Sequence, residues 1–176
     1  CSSLENKGGR AILEAIDALF PSPLERPDVV DANGGKHKIS PDEPVAAFVF
    51  KTLADPVSGQ LYYLLRVLTG TLSGDMTLQN MTTGEPERMG GLMYVLGKNV
   101  TACKEPVGPG AIVAVSKLKG TRTGDTLSDP KAPFKVVKPE LPPQLIAFAI
   151  APSKKGEEEK VFSAIQKLTD DDITLR

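Results

Sequence analysis

The hydrophobic pattern changes its period twice along the chain. Over residues 10–20, Ile12, Leu13, Ile16, Leu19 and Phe20 recur at i, i+1, i+4, i+7 and i+8, which is one face of an amphipathic helix. Gly8-Gly9 precede it and Pro21-Ser22-Pro23 ends it, because proline lacks an N–H and its ring clashes with the preceding turn. Residues 27–44 carry no period and contain Asn33-Gly34-Gly35, the composition of a turn-bearing linker. Strand-like segments follow at 45–53, 60–68, 76–80, 87–96 and 111–118. They are separated by turn formers such as Asp55-Pro56, Ser58-Gly59 and Gly74-Asp75. Antiparallel elements this short are expected to close into a small barrel, which removes their edges.

The pattern changes again after Pro139-Glu140-Leu141-Pro142-Pro143. Residues 145–151 alternate as a strand. Residues 157–168 read as a helix, with Val161, Phe162, Ile165 and Leu168 on one face. Glu157-Glu158-Glu159 place negative charge in its first turn, where the helix dipole favours it. One strand and one helix are too little for an independent core, so this unit is expected to be truncated.

Composition narrows the chemistry. In 176 residues there are 16 Gly and 15 Pro, above the roughly 12% of an average chain, which favours strands and turns over a helical bundle. No apolar run approaches the ~20 residues that span a bilayer. The opening Cys1-Ser2-Ser3 carries no leader pattern, and the chain reads as a piece of a longer one. A single His (His37) and two Cys (Cys1, Cys103) cannot build the usual zinc ligand sets. Two cysteines make no disulfide framework and suit a reducing cytosol. His37 lies in the polar run Gly34-Gly35-Lys36-His37-Lys38 and is expected to be solvent-exposed, without the support a catalytic base needs. Cys103 is expected to be structural, since no base lies near it in sequence. A net charge of -1 argues against a protein that coats DNA. Lys117, Lys119 and Arg122, however, lie in a stretch from Ser116 to Gly124 without an acid, a local charge of +3. Asp125 is expected to cap the Gly124 turn.

Three strings carry a family resemblance: Ala47-Phe48-Val49-Phe50-Lys51-Thr52 followed by Asp55-Pro56 and Gly59; Arg66-Val67-Leu68-Thr69-Gly70-Thr71-Leu72; and Val113-Ala114-Val115-Ser116-Lys117-Leu118-Lys119-Gly120-Thr121-Arg122-Thr123-Gly124-Asp125-Thr126-Leu127. Together they resemble the second domain of elongation factor G and its EF-G-like relatives, the translocation GTPases of the ribosome. Leu4 to Pro23 resembles the end of that family's G domain. Leu145 to Pro152 and Asp171 to Arg176 resemble the start of its third domain. Ser116 stands where the family has Gly before Leu-Lys, and the stretch Gly90 to Lys98 lacks the family's His-Ala-Asn. These departures lean towards an EF-G-like paralogue.

The resemblance implies a mainly β fold. A small closed antiparallel β-barrel of the translation-factor domain II type would span 45–138, after a G-domain remnant at 1–26 with its helix over 10–20 and a linker at 27–44. The truncated β-α unit of a ferredoxin-like α+β domain III would occupy 139–176. It implies a ribosome-docking piece of a cytoplasmic GTPase that works in translocation or a related ribosomal step. Its partners would be small-subunit ribosomal RNA and the G domain of the same parent, with no DNA and no membrane, the parent being a monomer. Candidate RNA contacts are Lys117, Lys119 and Arg122, with Arg66 and Arg88 from the other family-like segments. Ser2 and Ser3 align with the motif whose backbone amides hold the guanine base, and without its partners this remnant should bind nothing measurable. GTP and Mg²⁺ would belong to the parent, because no G-x-x-x-x-G-K-[ST] occurs here. The chain itself is then no enzyme and has no catalytic or metal-binding residues. Two other readings stay open: another translational GTPase, of the release-factor-recycling or ribosomal-protection type, and a non-ribosomal ligand- or protein-binding barrel. The latter should contain a deep apolar pocket.

Overall fold

A computed structural model describes residues 1–55, 59–138 and 140–175, with only the backbone at positions 170 and 171. Pro56 and Ser58 of the predicted turn, Pro139 at the predicted boundary and Arg176 of the C-terminal string lie outside the described residues. Helix α1 spans Gly9–Leu19 as the periodicity predicts, but it buries no residue. Its stripe of Ile12, Leu13, Ile16 and Leu19 faces solvent. A short 3₁₀ turn, Pro23–Glu25, follows.

The polar stretch 27–44 folds back on the main sheet. Strands β1 (Val29–Val30) and β2 (Lys36–His37) pair antiparallel around the turn at Asp31. Asp31 is buried; its carboxylate accepts the N–H groups of Asn33 and Gly35, both at 2.8 Å, and bonds His37 Nε2 at 2.9 Å. The imidazole stacks obliquely on buried Phe134, ring centroids 4.4 Å apart. His37 is therefore half-buried and structural, not the free surface residue its polar neighbours suggest. Beyond it, Thr69 Oγ1 donates to the Lys38 carbonyl and the Gly70 N–H to that of Ser40, both at 2.8 Å.

Eight strands form the main sheet: β3 (Ala46–Ala54), β4 (Leu61–Thr69), β5 (Thr77–Asn80), β6 (Pro86–Arg88), β7 (Leu92–Leu96), β8 (Asn99–Cys103), β9 (Ile112–Ser116) and β10 (Thr126–Ser128). Their order is β6-β5-β10-β3-β4-β9-β7-β8, and every neighbouring pair is antiparallel. Alternate residues point inward, as pleating demands. Ala47 and Val49 of β3, Tyr63, Leu65 and Val67 of β4, and Val113 and Val115 of β9 join Leu72, Leu78, Met89, Leu92 and Leu127 in one core. A bulge between Val49 and Lys51 turns Phe50 out of the β3–β4 ladder and bends the strand. The segment predicted as a single strand over 87–96 breaks at Gly90, whose φ is 58°, into β6 and β7.

The closed barrel expected from the sequence is not formed. Among the described residues the sheet is an open ladder with β6 and β8 as its edges. Two features keep it open. β6 is three residues long and begins with Pro86, which has no N–H to offer a further strand. β8 lies at the far edge as the outer arm of the β7–β8 hairpin, with all but Cys103 exposed. Other ties bend the ladder around the core: Leu72 and Val107 exchange both backbone bonds, at 2.9 and 2.8 Å, and the Met89 N–H reaches the Met76 carbonyl at 2.8 Å.

The C-terminal unit departs from expectation in its strand. Helix α2 is present, Glu158–Asp171, and packs beside β3. Residues 145–151 are not in a strand, and Leu145, Ile146, Phe148 and Ile150 are exposed. Alternation alone does not make a strand: without a neighbour to take its backbone hydrogen bonds, the extended conformation gains nothing.

Candidate functional site

The basic segment 117–125 is braced by hydrogen bonds to β3, β5 and β6. It leaves β9 at Ser116 and re-enters the sheet at β10. Lys117 has φ 64°, a left-handed conformation that side chains disfavour. Counted from Leu118-Lys119, the family's glycine falls at Lys117 rather than at Ser116, and it is there that the backbone takes the conformation that favours glycine. Leu118 is buried, and its carbonyl accepts from Tyr63 Oη at 3.4 Å.

Two buried carboxylates hold residues 119–125. Glu87 of β6 accepts the Lys119 N–H at 3.1 and 3.0 Å on its two oxygens, the Gly120 N–H at 2.8 Å and Thr121 Oγ1 at 2.9 Å. Asp125 accepts the Arg122 N–H at 2.9 Å and Asn80 Nδ2 at 3.0 Å on Oδ2, and pairs with Lys138 Nζ at 3.0 Å on Oδ1. Asn80 Nδ2 also reaches Thr121 Oγ1 at 3.3 Å, which links the two acids into one network. Burial pushes the Asp125 carboxyl upward; hydrogen bonds from Asn80, the Arg122 N–H and Lys138 overcome it and hold the group below the ordinary aspartate value. Further along, the hydroxyls of Thr52 and Thr123 meet at 2.9 Å, and the Gly124 N–H donates to the Val49 carbonyl at 2.7 Å. The predicted cap at Asp125 is thus a buried anchor.

This bracing decides what the loop shows. The acids are engaged inside by backbone amides and by Thr121, Asn80 and Lys138, while Lys117, Lys119 and Arg122 are exposed. Among the described residues no ion pair engages these three. The loop borders a cleft of about 900 Å³ whose walls include Thr52, Thr82, Thr121, Thr123, Lys138 and, from α2, Gln166. Hydroxyls and cations share its lining about equally with apolar side chains, Leu61, Tyr63, Leu118, Ile173 and Leu175.

The other sequence-predicted residues are not brought to this loop. Arg66 is exposed on β4 opposite Ile112, while the loop leaves β9 after Ser116. Four strand residues separate the two positions, about 13 Å. Arg88 points away from Glu87, its neighbour in β6, and pairs at 2.9 Å with exposed Asp75. Ser2 bridges to Lys7: each N–H donates to the other's carbonyl, at 3.0 and 2.9 Å. The Ser2 amide is therefore engaged within the chain, while the Ser3 carbonyl accepts the Asn6 N–H at 3.3 Å. Among the described residues no cluster of His, Cys, Asp or Glu is placed to hold a metal ion, and no helix is long and apolar enough to cross a membrane. Sequence reasoning missed Glu87 and Asn80. A signal for Glu87 was present: counting back two from apolar Met89 along a strand puts Glu87 on the inner face.

Comparison with known proteins adds the wider frame. Residues 44–130 match the family described as elongation factor G domain 2, a span holding the whole loop, Glu87, Asn80 and Asp125. The fold is similar to that of a solved structure from Thermus thermophilus titled ttk003000868, with TM-score 0.77 and 27% identity over 96% of this chain. The chain spans 23% of that structure's length.

Proposed function

Because residues 44–130 belong to the elongation factor G domain 2 family, we propose that the loop 117–123 docks the chain on small-subunit ribosomal RNA. The observation that carries this reading is the separation of charge: Glu87 and Asp125 are buried beneath the loop while Lys117, Lys119 and Arg122 stand exposed. Such cations meet phosphate oxygens without reading bases. In this reading the parent is a monomeric cytoplasmic EF-G-like GTPase that drives translocation or a related ribosomal step. It binds neither DNA nor membrane, and it holds GTP and Mg²⁺ outside these 176 residues. Residues 1–26 end its G domain, 27–44 connect, 45–138 form domain II and 139–176 begin a ferredoxin-like domain III, with the G domain packing against this chain.

A non-ribosomal ligand-binding barrel is less well supported, since the interior is filled by core side chains such as Leu65, Met89 and Leu127. Co-sedimentation with purified small ribosomal subunits across a salt series tests the proposal. Wild type should bind with a steep salt dependence. Replacing Lys117, Lys119 and Arg122 together by Ala should weaken binding and lower the log–log salt slope by about 2–3, the value for that many phosphate contacts. Equal binding and equal slope for the two chains would sink it.

A further inference from the structure

We propose that Glu87 is a positioning residue for docking, an internal anion that fixes the loop's shape and so aims its cations; this rests on the ribosomal reading above. Three donors from consecutive residues converge on this one carboxylate: the N–H groups of Lys119 and Gly120 and the hydroxyl of Thr121. Glu87 is 3% exposed, a depth at which a carboxylate persists only when donors satisfy it. All three of these donors belong to the loop. Successive amides turned toward one anion make a nest, the arrangement that elsewhere receives phosphate. Here the nest is already filled from within.

The Lys119 and Gly120 amides are therefore unavailable to an outside phosphate, so contact with RNA falls to the side chains of Lys117, Lys119 and Arg122. Residues 119–121 are thus tied to β6 through this carboxylate, while 123–125 are tied to β3 at Thr52 and Val49. Glu87→Gln is the informative change: it removes the charge that all three donors share. With its oxygen kept where Gly120 and Thr121 donate, its NH₂ group meets the Lys119 N–H head on, with little change in volume.

The test uses the full chain and two readouts. Amide hydrogen exchange at Lys119 and Gly120 should accelerate about 10-fold or more in E87Q, the factor that goes with losing a charge-assisted hydrogen bond. Binding to small ribosomal subunits should weaken in E87Q, yet E87Q should add nothing in the background of Lys117, Lys119 and Arg122 all changed to Ala. A purely structural role would weaken binding by the same factor in both backgrounds. Should E87Q fail to fold, Thr121→Val removes one donor and keeps the carboxylate, and the same non-additivity is expected. Wild-type binding by E87Q while the triple-alanine chain binds weakly overturns the positioning role alone. Full binding by the triple-alanine chain overturns the docking reading and this inference with it, whereas the exchange result still reports whether Glu87 holds the loop.

Discussion

Lys117 stands at the entrance of the loop with φ 64°. A left-handed backbone costs a non-glycine residue about 1–2 kcal/mol, and glycine gives back about 0.5–1 kcal/mol in unfolded-state entropy. The difference favours glycine, so Lys117→Gly should stabilise the chain by roughly 0.5–1 kcal/mol in urea unfolding. It should at the same time weaken ribosomal binding by removing one cation. A loss of stability would mean the lysine side chain makes a contact that offsets its backbone strain. Asp31 makes a different residue-scale case. The hydrogen bond with His37, then those from the Gly35 and Asn33 amides, outweigh burial and hold its carboxyl below the ordinary value. A depressed folded value means stability that is present at neutral pH and lost as pH falls through that value. Asp31→Asn should therefore be less stable than wild type at pH 7, and the gap should narrow below about pH 4, where the unfolded carboxyl is protonated as well. Urea midpoints at neutral and acid pH check the sign; a gap that widens in acid would refute it.

At the scale of elements, local pattern was a good guide where an element needs only its neighbours in sequence. The apolar stripe of α1, the α2 periodicity and the cores of β3, β4 and β9 were legible because each repeats within a few residues. The bracing of the loop was not, because its parts meet across long separations: Glu87 lies 32 residues from Lys119, and Asn80 lies 45 from Asp125. Strand 145–151 failed for the opposite reason, having the alternation but no partner to pair with. The polar run around His37 misled in the same way, since burial there comes from Phe134, far along the chain. Asn80 ends β5 and joins three elements. Its Nδ2 serves Thr121 and Asp125, and its Oδ1 accepts the Thr82 N–H at 2.8 Å. Asn80→Ala should cost about 2–3 kcal/mol, the penalty for leaving buried polar partners unmatched. Faster hydrogen exchange should be confined to residues 80–84 and 117–125. Global acceleration would mean that Asn80 supports the core rather than the loop.

For the whole molecule, buried residues run from Asp31 to Phe134, and none is found among the described positions of 1–26 or 140–175. Burial of apolar surface is the main favourable contribution to folding, so the flanks should add little to the stability of the sheet. Their ties are few: Pro23 packs on Gly110, α2 lies beside β3, and Gln144 Nε2 reaches the Thr174 carbonyl at 3.0 Å within the C-terminal unit itself. Lys138 belongs to the sheet through Asp125, which fixes where a cut can fall. A chain of residues 27–138 should therefore fold alone, with a melting temperature within about 4 °C of the full chain, roughly 1 kcal/mol at this size. It should retain the docking loop intact and with it the salt-dependent binding to small ribosomal subunits. Calorimetry on the two chains decides between two pictures. A small shift makes the sheet an autonomous unit to which the flanks, α1 and 145–151 with their exposed apolar side chains, add little stability. A drop of about 10 °C or more, over 2 kcal/mol on the same scale, would make the flanks part of one cooperative core, and the proposed boundaries at 27 and 138 would have to be abandoned.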